Sequence, residues 1–139
     1  YIMDYLNLLV SNINLNDINP KMHLRIKLER ELLRDFIVNK NTNENEFDLE
    51  FGYNVIRIVI DDLYPFRPPK NIYILDKNSN KYDFFDFVES NYNIYDASSL
   101  KEIQRLKDIV NTDKMNWKPN MTLKYLYNKL TDFAIYCII

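Results

Sequence analysis

A thiolate is the strongest nucleophile among the ordinary side chains, and this chain holds one cysteine, Cys137. Its neighbours Phe133, Ala134, Ile138 and Ile139 place it on the apolar side of a terminal helical pattern, which predicts a buried structural thiol. One cysteine allows no intrachain disulfide, and with His23 the single histidine there is no Cys/His set for a zinc site. The expectation is a reducing compartment, with no metal and no small-molecule cofactor. His23 falls early in a predicted helix with no partner in view and reads as an exposed helical histidine. Asp61 and Asp62 could be taken for an acid/base pair, but adjacent carboxylates at a strand end point apart and serve a turn. Gly52 is the only glycine, so no glycine-rich loop exists to bring bare backbone against phosphates.

Global properties narrow the classes further. A formal charge of -2 supplies no positive field for a nucleic-acid backbone. The longest apolar stretches, residues 55–60 and 133–139, are far below the roughly 20 residues that span a bilayer, and no basic-plus-apolar leader opens the chain. These features predict a soluble, intracellular protein, cytoplasmic or nuclear, that engages neither nucleic acid nor membrane. The 139 residues suit one compact domain.

The elements that must position these residues can be read from periodicity. Ile2, Tyr5, Leu6, Leu9 and Val10 predict a short amphipathic helix within an N-terminal extension, residues 1–19. Pro20 can open a second helix, whose Leu24, Leu28, Leu32 and Phe36 recur at i, i+4 with Leu33 alongside. Lys27, Arg30 and Arg34 then form a basic stripe on its solvent side. Residues 39–45 read as a solvated loop. Phe47, Leu49 and Phe51 alternate with polar residues, Val55 to Ile60 form a β-branched run broken by Arg57, and Ile72 to Leu75 make a third extended segment. Short connections, one of them at Gly52, imply an antiparallel meander. Residues 76–95 give no clear element. Ser98 or Ser99 could cap a helix with Leu100, Ile103, Leu106, Lys107 and Val110 on its buried side, and Thr122 can cap a last helix marked by Leu123, Leu126, Tyr127, Leu130, Ala134 and Cys137. The fold class expected is α+β.

Two segments carry a resemblance. Tyr64-Pro65-Phe66-Arg67-Pro68-Pro69 is similar to the Tyr-Pro-Phe-x-Pro-Pro corner of ubiquitin-conjugating enzymes. Three prolines in five residues fix φ near -65° and remove three backbone donors, so the stretch must be a rigid corner rather than a helix or central strand. Trp117-Lys118-Pro119, followed by Thr122, resembles the Trp-x-Pro-x-x-Thr loop that leads into a helix of that family. The amphipathic segment from Pro20 to Phe36 fits its first helix. The resemblance implies a fold in which that helix packs with an antiparallel meander and C-terminal helices follow. It covers residues 20–139 and omits the family's last helices.

The chemistry departs from the resemblance. Members carry ubiquitin as a thioester on a cysteine that follows a His-Pro-Asn motif, because the carrier must be both a strong nucleophile and a good leaving group. The family's spacing would place that motif at Ser79-Asn80-Lys81 and the cysteine near Glu89 or Ser90, yet residues 76–115 contain neither a cysteine nor a histidine. The resemblance therefore implies a non-catalytic domain that binds ubiquitin-pathway proteins: ubiquitin, a ligase, a conjugating enzyme or an adaptor. Phe66, Lys118 and Pro119 match the ligase-facing set, with Lys27, Arg30 and Arg34 as a further contact stripe. Tyr64, Pro65, Pro68, Pro69 and Trp117 are the family's structural residues, Trp117 belonging to the core. Two alternatives stay open: a conjugating enzyme whose cysteine was replaced, at Ser90, Ser98 or Ser99, or lies in an atypical segment; and a structural interaction domain of a larger assembly.

Overall fold

The computed structural model describes residues 20–39, 43–90 and 97–133. The chain divides into two compact units, Tyr1–Asp35 and Phe36–Ile139. In the first, helix α1 (Pro20–Leu32) starts at the proline, whose missing N–H would be unpaired at that position anyway. Leu24, Leu28 and Leu33 are buried, as the periodicity requires. Sequence periodicity did not reveal Arg25 and Glu29, which are also buried and joined over one turn by a 2.8 Å ion pair from Nε to Oε1. The helix stops at Leu32, so Arg34 and Phe36 lie in a 3-10 turn, Arg34–Phe36, and not on the helix.

The second unit is built on a four-stranded antiparallel sheet in the order β1-β2-β3-β4, with β1 Glu46–Phe51, β2 Asn54–Val59, β3 Asn71–Leu75 and β4 Lys81–Asp83. The α+β class and the meander are as expected. Gly52 takes φ 61° in the two-residue turn joining β1 to β2, a conformation that a Cβ would oppose. One face of the sheet is closed by Phe47, Leu49, Phe51, Ile56, Ile58, Ile72 and Ile74. On the other, Arg57 makes a bidentate bond to its cross-strand neighbour Asp48, Nε to Oδ1 at 2.7 Å and Nη2 to Oδ2 at 2.9 Å. That bond explains how a β-branched run tolerates an arginine and how Asp48 is 2% exposed. The same bond raises the Arg57 guanidinium above its ordinary value, against a smaller desolvation effect.

Three helices complete the unit: α2 Phe84–Ser90, α3 Ala97–Ile109 and α4 Leu123–Thr131. Strand β4 and helix α2 occupy the stretch that gave no clear element. Asp83 ends the strand and caps the helix, its Oδ2 accepting the Asp86 N–H at 3.0 Å. Phe84 then meets Phe51 edge-on at 5.8 Å, which seats α2 against the sheet. Helix α3 begins at Ala97, so Ser98 and Ser99 lie inside its first turn and do not cap it. Its Ile103 and Leu106 are buried, but Leu100 is 38% exposed and Lys107 reaches an ion pair instead. Helix α4 is capped by Thr122 as expected, Oγ1 accepting from Tyr125 N at 3.0 Å, and buries Leu123, Leu126, Tyr127 and Leu130. The Tyr127 hydroxyl donates to the Glu50 carbonyl at 2.6 Å, tying α4 to β1. Ala134, Cys137 and the predicted helix at residues 2–10 lie outside the described residues.

Candidate functional site

The proline corner leaves the sheet after β2 and returns to it at β3, where Lys70 N–H donates to the Val59 carbonyl at 2.7 Å. Between these points the backbone folds into consecutive turns. The Asp61 carboxylate accepts the Leu63 N–H at 2.9 Å, and the Leu63 carbonyl accepts from Phe66 at 2.8 Å and Arg67 at 3.0 Å. Asp61 thus serves the turn, as the adjacent-carboxylate reading holds. The Tyr64–Pro65 peptide is cis. Tyr64 is fully buried and Pro68 and Pro69 are buried beside the returning strand, whereas Phe66 is 77% exposed and Leu63 47%.

The second segment, residues 111–122, is tied to this corner at Trp117. Trp117 is buried, and its Nε1–H donates to the Pro65 carbonyl at 3.0 Å. Its ring lies 6.1 Å from that of Tyr64, tilted by 47°. This hydrogen bond spans 52 residues and satisfies a carbonyl that the proline-interrupted corner cannot pair within a strand. The preceding loop is held by Asn111, whose Oδ1 accepts the Asp113 N–H, and by a 2.9 Å ion pair between Lys114 Nζ and Asp108 Oδ1. Hydrogen bonds from Lys114 and then Gln104 hold the Asp108 carboxyl below its ordinary value. Met115 follows with φ 52°, an uncommon backbone state for a residue with a side chain, and is 84% exposed.

The two segments enclose a shallow cleft of about 200 Å³ lined by Phe66, Arg67, Pro68, Thr112, Asp113, Met115 and Trp117. Phe66 and Trp117 come together there. Lys118 and Pro119 are exposed next to Trp117 in the chain but do not line the cleft. Met115 and Leu63, exposed apolar residues of the same neighbourhood, were not singled out by sequence. The available signal was an isolated large apolar side chain among polar loop residues.

The basic stripe belongs to the other unit. Lys27 is exposed, but Arg30 is half-buried, and Arg34 lies beyond the helix with a 2.8 Å ion pair to Glu31. The three residues do not form one uniform exposed row. His23 lies in α1, and its side chain falls outside the described residues.

The segment where the resemblance would place the thioester chemistry is built for structure. Ser79 has φ 63° in the turn between β3 and β4, which Asp76 organises by accepting from the Asn78 and Asn80 N–H groups and from Asn80 Nδ2, each at 2.9 Å. Those bonds, led by the Asn80 side chain, hold the Asp76 carboxyl below its usual range. Ser90, in the last turn of α2, donates its hydroxyl to the Phe87 carbonyl at 2.9 Å. Glu89 is bound to Lys107 at 2.6 Å, a bond that raises the Lys107 ammonium.

Among the described residues, no group of three His, Cys, Asp or Glu side chains is arranged to hold a metal ion, and no helix is long and apolar enough to cross a membrane. The chain matches no family model, no curated protein and no solved structure.

Proposed function

We propose that the chain is a non-catalytic domain of the ubiquitin-conjugating-enzyme type that binds protein partners of the ubiquitin pathway through the face formed by the proline corner and the tryptophan loop. The observation that carries this reading is the exposure of Phe66 and Met115, at 77% and 84%, on a backbone fixed by the buried Tyr64 and by the Trp117–Pro65 hydrogen bond. A large apolar side chain held in place while exposed gives contact area on binding with little entropy left to lose. Arg67 and Lys118 are exposed around it and add a cationic rim that can steer an acidic partner surface. The absence of cysteine and histidine from residues 76–115, and the structural engagement of Glu89 and Ser90, support binding over thioester transfer.

The test is an NMR titration of the full chain with ubiquitin, a conjugating enzyme and a RING- or HECT-type ligase domain in turn. At least one should shift Phe66, Met115, Lys118 and Pro119 together, and Phe66→Ala should abolish those shifts while the rest of the spectrum stays in place. If none of these proteins moves that set, the binding reading is wrong.

A further inference from the structure

A second groove lies on the opposite chemical footing to the Phe66 cleft. Tyr82, Asp83, Asp86, Phe87 and Ser90 line an open depression of about 340 Å³ on the outer edge of β4 and the exposed side of α2. At the low end of ligand-cleft sizes, it suits one or two side chains rather than a cofactor. Its floor is aromatic: the Tyr82 and Phe87 rings are 5.9 Å apart, and Tyr82 is 38% exposed although it stands on a three-residue edge strand. Its walls are anionic. Among the described residues neither Asp83 nor Asp86 forms a salt bridge; Lys107, whose ammonium their charges help to stabilise, is bound to Glu89 at 2.6 Å. Lys81, the other cation of the segment, sits 4.5 Å above the ring of Tyr73 instead.

An apolar floor beneath two exposed carboxylates that form no salt bridge among the described residues is complementary to a side chain with an aliphatic stem and a cationic head. We infer that this groove docks a basic segment of a partner protein, with a lysine or arginine stem along the Tyr82 and Phe87 rings and its charge against Asp83 and Asp86. The aromatic faces add cation–π attraction to the carboxylate contacts. Nucleic acid and anionic membrane are repelled by the same carboxylates. The inference stands apart from the proposed function, since it uses none of the residues of the Phe66 cleft.

The probe is a synthetic peptide of about ten residues rich in lysine and arginine, titrated into the full chain in low salt. Its counterpart has glutamine at every cationic position, keeping the stems and removing the charge. The basic peptide should shift Tyr82, Asp83, Asp86, Phe87 and Ser90, and the glutamine peptide should not. The double variant D83N/D86N should weaken binding about tenfold or more, since both charge-assisted contacts are lost. Asparagine at 83 keeps the oxygen that caps α2, so the variant retains the fold. F87L keeps apolar volume without the ring and should weaken binding several-fold. Shifts spread evenly over Glu44, Asp61, Asp62 and Asp113, an unchanged affinity in D83N/D86N, or the same shifts produced by concentrating the protein without peptide would each overturn the assignment.

Discussion

The proline corner and the segment from β4 to α2 both set aromatic side chains at the surface of the sheet unit, by different means. At the corner the order is long-range: Tyr64 and Trp117 are buried together, and one indole N–H joins residues 52 apart. From Lys81 to Ser90 it is mostly local, a carboxylate cap at Asp83, a hydroxyl bond from Ser90 to Phe87 and a turn organised by Asp76. A long-range lock can hold Phe66 and Met115 exposed in a fixed direction. A local one builds a short helix wherever capping and turn residues allow. The contrast teaches that a long-range lock can leave large apolar side chains exposed on a fixed backbone, whereas from Lys81 to Ser90 polar side chains are taken up by capping and pairing.

The contrast should be easiest to break at its long-range side. Trp117→Ala removes a buried indole and orphans the Pro65 carbonyl, and is expected to cost about 3–5 kcal/mol in chemical denaturation. Trp117→Phe keeps most of the ring packing and loses the N–H, for about 1–2 kcal/mol. If both variants melt like the native protein, the lock does not hold the corner. Next in size, Thr122→Ala removes the cap of α4 and should cost about 1 kcal/mol, read in the same titration. Phe66→Ala, at an exposed position, should change stability by less than about 0.5 kcal/mol while removing the proposed partner binding, which separates recognition from folding.

The pH dependence sharpens the picture at α4. Burial, with the nearby Glu50 charge second, pushes the Tyr127 hydroxyl up to about 12. A folded-state value above the unfolded one, about 10, means the protonated hydroxyl is the form the fold favours. Its contribution is fully present below pH about 10 and is lost as the pH rises toward about 12. The difference in melting temperature between the native protein and Tyr127→Phe should therefore narrow across that interval. A constant difference would mean that Tyr127 does not hold its proton through the fold.

Much of the sheet was legible because alternation is unambiguous when one face is buried. Phe47, Leu49 and Phe51 lead to β1, and Ile56 and Ile58 lead to β2, in the same way. The cap at Thr122 was legible because its hydroxyl precedes a clean helical period. Strand β4 was not, since Lys81, Tyr82 and Asp83 are all exposed and three residues give no alternation to detect. Helix α2 has seven residues, with Phe84, Phe85, Phe87 and Val88 crowded around two acids, so no single apolar face announces it. Leu100 shows the limit of periodicity: it keeps helical spacing with Ile103 and Leu106 but lies at the exposed edge of the stripe. The buried Glu29 and Asp48 escaped for another reason, because a charge reads as solvent-facing until its partner is found across a helical turn or a strand pair. At the candidate site, the motif residues were legible from order and proline content. Met115 and Leu63 were not, because exposure of an apolar residue is decided by where a loop is pinned.

The most direct measurement is a charging reaction with ubiquitin-activating enzyme, ATP and ubiquitin, resolved on gels with and without reductant, for the native chain and for Ser90→Cys. We expect no reducible ubiquitin adduct on either protein, because the proposed role is binding rather than carriage and residues 76–115 hold neither a cysteine nor a histidine in the native chain. A reductant-sensitive adduct on either one would contradict it and make the chain a carrier of ubiquitin rather than a binder.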